Sequence, residues 1–165
     1  NLRHHTMSRN PADMLIEANR QFPLTDEGEY FTLWIGVLDV PSGRLSYATA
    51  GHAGALVHRR EHGIEWLSKP GLPLGFLPDT VYEEESIQLH SGDRLVLLSD
   101  GVYEVPSPSG ELWGQDRLSV AMQRLGRDPL EAALPKILTE VQEWHGADTF
   151  PDDAALLGVE SGRSE

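Results

Sequence analysis

The chain has 165 residues, of which 39% are hydrophobic and 24% charged, a globular composition long enough to bury a core without staples. It contains no cysteine, which excludes disulfides, thiolate metal sites, iron–sulfur clusters and a thiol nucleophile. Asp and Glu number 26 against 13 Lys and Arg; the resulting net charge of −13 makes nucleic acid and anionic membrane poor partners.

The acidic balance reads first as solubility, and more sharply as carboxylates available to a divalent cation. No apolar run reaches the ~18 residues of a membrane span and no signal-peptide core opens the sequence. Together with the missing cysteines this reads as a cytoplasmic protein.

In chain order, Asn1–Arg9 resembles the end of an earlier helix, with His4 and His5 a weak metal signal. Asn10 and Pro11 form an N-cap and first helical position, and a helix is expected over Pro11–Arg20 with Met14, Leu15 and Ala18 on one face. Tyr30–Val40 is rich in β-branched and aromatic residues and predicts a strand. The turn Pro41–Gly43 returns it antiparallel into Arg44–Ala50. Gly51–Gly54 breaks the alternation; strands over Ala55–Arg60 and Ile64–Leu67 then continue what reads as an antiparallel meander.

Pro70–Pro78 is a loop and Tyr82–Leu89 a weakly alternating strand. Arg94–Ser99 is a continuous apolar run, the mark of a strand buried on both faces, and it ends at Asp100–Gly101. Helices are expected over Asp116–Leu125 and Pro129–His145, the second kinked at Pro135. A last strand spans Ala154–Glu160. The domain is thus 1–160, with a flexible tail over 161–165.

Two acidic points stand at strand ends: Asp100 after the buried run, and Asp152 and Asp153 before the last strand. Carboxylates held at the rim of a core and brought together by antiparallel pairing supply the hard oxygens that Mg2+ or Mn2+ takes. On spacing alone the plainer reading stands beside this one: Asp-Gly is a common turn, and Asp-Asp after Pro151 a solvated loop.

From Tyr30 onward the chain resembles the SpoIIE/RsbU-like branch of the metal-dependent PPM (PP2C-type) serine/threonine phosphatases. The matching stretches are YFTLWIGVLDVPSGRLSYATAGHAGALV (Tyr30–Val57), GLPLGFLPD (Gly71–Asp79), SGDRLVLLSDGVYEV (Ser91–Val105), GELWGQDRL (Gly110–Leu118) and PDDAALLGV (Pro151–Val159), in the family's order.

This resemblance implies an α+β fold, an α-β-β-α sandwich of two antiparallel sheets flanked by helices. It implies hydrolysis of phosphoserine or phosphothreonine by two Mn2+ or Mg2+ ions that activate water. Asp100 matches the family's "SDG" aspartate and Asp152 the first of its "DD" pair; both would be catalytic and ligate metal. Gly101 would keep the backbone tight beside the cation. Asp153 would act as a further ligand or helper, and Glu104 and His52 as structural neighbours. The family's "DD" motif runs on to Thr where this chain has Ala155.

The family's early acidic motif and its Asp-containing Gly-His-Gly motif do not occur in residues 1–165. The chain is accordingly expected to lack the first strands of the sandwich and to be inactive alone, unless Asp79 or Asp153 completes the shell. The resemblance further implies a phosphorylated regulatory protein as substrate, such as an anti-sigma-factor antagonist, and a fused sensor or receiver domain upstream. An uncovered sheet edge would favour a homodimer. Two other readings remain open: a non-catalytic binding module on the same fold, and a cyclic-nucleotide-binding-like β-roll. The terminal Pro151–Asp153 argues against the second, which has no use for it.

Overall fold

A computed structural model describes residues 10–24, 28, 30–60 and 62–162. The expectations for His4, His5 and residues 163–165 lie outside the described residues. The chain divides into two compact units, Asn1–Ala53 with Ser68–Leu89, and Gly54–Leu67 with His90–Glu165.

In the first unit, helix α1 (Pro11–Gln21) opens as the sequence predicts: the Asn10 side chain accepts from the backbone N–H of Ala12 at 2.8 Å and Asp13 at 3.1 Å. The helix lies on an antiparallel sheet in the order β1 (Leu33–Asp39), β2 (Arg44–Ala50), β5 (Glu85–Gln88). Leu15, fully buried, joins Ala12, Ala48, Ala50, Leu74 and Tyr82 in its core.

The first strand begins at Leu33 rather than Tyr30. Tyr30 and Phe31 instead make edge-to-face contacts with Phe76 and Phe22, with ring centroids 5.5 and 5.8 Å apart. The strand expected over Tyr82–Leu89 is shorter, because Tyr82 turns inward and its hydroxyl donates to Asn19 Oδ1.

Asn19 holds the loop that reads as irregular in sequence. It is 2% exposed; its amide donates to the carbonyls of Leu77 (2.8 Å) and Pro78 (3.1 Å), and its Oδ1 accepts from Gly75 N–H at 2.8 Å. The helical face is therefore Ala12, Leu15 and Asn19 rather than an all-apolar one. Asn19→Ala strands those buried groups and is expected to destabilise by about 2–3 kcal/mol. Urea unfolding with an unchanged m-value would report it.

The expected meander is two hairpins. At Gly51 the chain takes φ +71° with Pro73 against it, and β3 (Ala55–Arg59) leaves the first sheet. It pairs instead within a second antiparallel sheet ordered β4 (Gly63–Trp66), β3, β6 (Arg94–Leu98), β7 (Leu156–Glu160). Central β6 is the buried apolar run that the sequence predicts.

Helix α2 (Gly114–Arg124) packs on β4 and on α3 (Leu130–His145), which packs on β7 and runs unbroken through Pro135. Ile137 and Val141 of α3 and Leu118 of α2 are fully buried. Trp66 donates to Ser119 at 3.0 Å, and Trp144 lies beneath the Arg117 guanidinium at 4.2 Å. Backbone pairing continues one residue past the expected end of the domain: Ser161 N–H donates to Asp93 O at 2.9 Å and its carbonyl accepts from Gly92 at 3.0 Å.

The β5–β6 turn carries a buried charge. Asp93, 4% exposed, accepts from Arg59 Nη1 at 2.9 Å and from the backbone of His90 at 2.9 Å. Burial pushes its carboxyl up, but the His90, Arg59 and Arg60 hydrogen bonds and the Arg59 charge outweigh that and hold it below the usual range. A depressed folded-state value means that the contribution is present above the unfolded value and lost as pH falls through the folded one. The stability advantage of wild type over Asp93→Asn is therefore expected to be full at neutral pH and to shrink below about pH 4. Denaturant midpoints of the two proteins from pH 7 to 2.5 measure this.

Candidate functional site

Antiparallel pairing of β6 with β7 sets Leu98 opposite Leu156, so the residues after β6 and those before β7 meet at one end of the second sheet. Asp100 opens a single 3-10 turn, Asp100–Val102, directly after the buried strand. Its carbonyl accepts from Tyr103 N–H at 2.9 Å and Glu104 N–H at 2.8 Å, which ties down the whole DGVYE stretch. The exposed Asp100 carboxylate accepts from Gly101 N–H at 3.0 Å; the exposed Asp152 carboxylate likewise accepts from Asp153 N–H at 2.7 Å.

The two segments abut through their backbones. A Cβ built on Gly101 would stand 2.4 Å from the Asp153 carbonyl oxygen, 2.8 Å from its carbon and 3.3 Å from the Asp152 carbonyl carbon. Only a residue without a side chain permits that approach. Ser99 fastens the same junction from the other side. Its hydroxyl donates to Asp153 O at 2.8 Å and accepts from Ala155 N–H at 2.8 Å, while its backbone N–H donates to Ala155 O at 3.1 Å. Sequence reasoning passed over Ser99, whose one signal was its place ahead of Asp-Gly.

Tyr103 backs the turn. It is buried, its ring meets Trp66 edge-on at 6.1 Å, and burial first, then the charges of Glu104 and Asp100, pushes its phenol up to about 12. It stays protonated throughout the physiological range. Glu104 contributes its backbone N–H to Asp100.

His52 and Asp79 belong to the other unit. The His52 carbonyl accepts from Thr49 Oγ1 at 2.8 Å, and Asp79 is exposed in the loop after Pro78.

Among the described residues no three acidic or histidine side chains gather into a metal-sized cluster. In kind, the donors at this junction fit a hard divalent cation, since they are carboxylate oxygens on backbone pressed together by the Gly101 contact. In number they supply part of a six-coordinate shell. Among the described residues no helix is long and apolar enough to cross a membrane.

Comparison with known proteins bears on these features. The family model described as "Stage II sporulation protein E (SpoIIE)" matches residues 1–161. Phosphoserine phosphatase RsbU of Bacillus subtilis is 30% identical over 104 residues, covering 62% of this chain and 31% of RsbU. The chain spans less than a third of the length of each curated relative it matches.

Among solved structures, the PP2C domain of SiaA from Pseudomonas aeruginosa superposes with a TM-score of 0.75 at 19% identity, covering 93% of this chain and 61% of that one. The manganese-presoaked phosphatase domain of SpoIIE from Bacillus subtilis gives 0.70 at 21% identity, covering 96% and 69%. Two antiparallel sheets with flanking helices match these PP2C domains, and the β-roll reading is set aside.

Proposed function

Because this chain belongs to the SpoIIE family of PP2C-type phosphatase domains, we propose that it contributes Asp100 and Asp152 to a metal-dependent centre that hydrolyses phosphoserine or phosphothreonine on a regulatory protein. The observation that carries the reading is the contact at Gly101, which presses the Asp100 and Asp152–Asp153 segments together with both carboxylates at the surface. The manganese presoak of the related SpoIIE phosphatase domain and the name phosphoserine phosphatase borne by RsbU support it.

In this reading Asp100 and Asp152 hold Mn2+ or Mg2+, which when bound supplies Lewis acidity and a water of lowered pKa. Gly101 sets the distance between the two acids. Ser99 keeps the Asp152–Asp153 loop from swinging away. The Asp153 carboxylate, exposed beside them, serves as a further ligand or helper. A centre of this kind would need no phosphoenzyme nucleophile, which suits residues 1–165, where no cysteine occurs. The substrate is a small phosphorylated regulator of the anti-sigma-factor-antagonist kind, which reaches the exposed end of the sheet.

The complete protein is expected to release phosphate from a phosphoserine peptide in Mn2+. Absence of turnover on phosphoserine and phosphothreonine peptides alike would overturn the reading. It would favour instead the non-catalytic binding module, for which the lack of a three-ligand cluster among the described residues is the supporting observation. Residues 1–165 assayed alone are expected to be silent, since they carry no counterpart of the family's early acidic motif. Robust Mn2+-dependent turnover from them would mean that Asp79 or Asp153 completes the shell.

A further inference from the structure

At the other end of the second sheet lies a cavity of about 570 Å3. Strand pairing builds it: β3 sets His58 opposite Arg94, and β7 sets Glu160 opposite Arg94, so the residues gather where β6 begins. Asp100 follows the far end of that strand. From Arg94 to Ser99 the backbone advances roughly 16 Å at ~3.3 Å per residue, so the cavity is separate from the acidic junction.

The wall is cationic in a chain of net charge −13. Arg59, Arg60, Arg94 and Arg127 line it with His58 and Gln123. Two of the four arginines are already neutralised and form a fixed frame. Arg59 donates through Nε and Nη2 to Glu65 at 3.0 and 2.7 Å and through Nη1 to Asp93 at 2.9 Å. Arg94, 8% exposed, donates to Glu160 at 2.7 Å and to the Asp128 carbonyl at 2.7 Å.

The other two differ. Among the described residues, neither the Arg60 nor the Arg127 guanidinium is paired with a carboxylate. Each presents planar donors suited to phosphate oxygens. His58 is buried, and burial, then the Arg94 charge, lowers its pKa, so it enters the wall as a neutral imidazole. No Phe, Tyr or Trp lines the cavity to stack a nucleobase, and the volume exceeds what a single phosphate fills.

We propose that this cavity binds a compact polyphosphate anion through Arg60 and Arg127, at a site distinct from the Asp100–Asp152 junction. Arg59 and Arg94, held by their carboxylates, fix the shape of the wall, and Gln123 and His58 add neutral hydrogen-bond donors. The unpaired guanidinium groups supply the attraction, which salt would screen because both arginines are exposed.

The test is calorimetric titration of the protein with tripolyphosphate in EDTA, which removes divalent cations from both the anion and the acidic junction. One-to-one binding that weakens with added NaCl is expected. Arg60→Gln with Arg127→Gln should weaken it at least about tenfold. Arg60→Lys with Arg127→Lys should recover part of the loss, and Asp100→Asn should leave it unchanged. Neither arginine makes an ion pair among the described residues, so the melting temperature without ligand should hold in all variants. The proposal is overturned by an absence of binding, by equal affinity in the double Gln variant, by loss of binding in Asp100→Asn, or by equal affinity for inorganic phosphate.

Discussion

Replacing Asp100 or Asp152 by Asn in the complete protein is expected to lower Mn2+-dependent phosphatase turnover by roughly a thousandfold, equivalent to about 4 kcal/mol of transition-state stabilisation. The fold should survive. Both side chains are exposed, and among the described residues each accepts a hydrogen bond only from the next backbone N–H, which an Asn Oδ1 accepts equally well. Unfolding midpoints should therefore be unchanged within about 0.5 kcal/mol. Activity assays beside urea unfolding separate the two effects. Near wild-type turnover of both variants at saturating Mn2+ would remove these residues from the site.

Gly101→Ala is expected to do the converse and damage fold and function together. The added Cβ would meet Asp153 O at 2.4 Å, and the atoms in its way are backbone, which cannot rotate aside. The relief available is to push the Asp152–Asp153 loop outward against the Ser99 hydrogen bonds. Overpacking of this kind costs about 1–3 kcal/mol. A displacement of about 1 Å at Asp152 would cost on the order of a hundredfold in turnover. Paired measurement of the urea midpoint and kcat checks both. Stability within about 0.5 kcal/mol of wild type, together with full activity, would show that the junction is loose and that Gly101 does not set it.

The parts of this structure that are legible in the sequence are those whose cause is local. Asn10 and Pro11 start α1 because a cap needs only its own neighbours. The run Arg94–Ser99 announces central β6 because burial on both faces leaves no polar position. The motif stretches around Asp100 and Asp152 carry the family, and the family model covers the residues in which they lie.

What stayed hidden depends on partners far along the chain. Asn19 looks like a polar interruption of a helix face until the loop carbonyls of Leu77 and Pro78 are placed beside it. Ser99 looks like the start of a turn until Ala155 and Asp153 arrive. The meander reading failed at Gly51 because alternation reports which face a residue takes, not which sheet its strand joins. Arg59 and Asp93, 34 residues apart, form their part-buried pair only once β3 and β6 have paired.

The most direct test of the central claim strips the complete protein with EDTA and titrates Mn2+ back while phosphate release from a phosphoserine peptide is followed. Turnover should be absent in EDTA, rise saturably with Mn2+, and stay near background at every Mn2+ concentration in Asp152→Asn. Turnover that persists undiminished in EDTA, or that Asp152→Asn supports as well as wild type, would contradict a metal-dependent phosphatase centre built on Asp100 and Asp152.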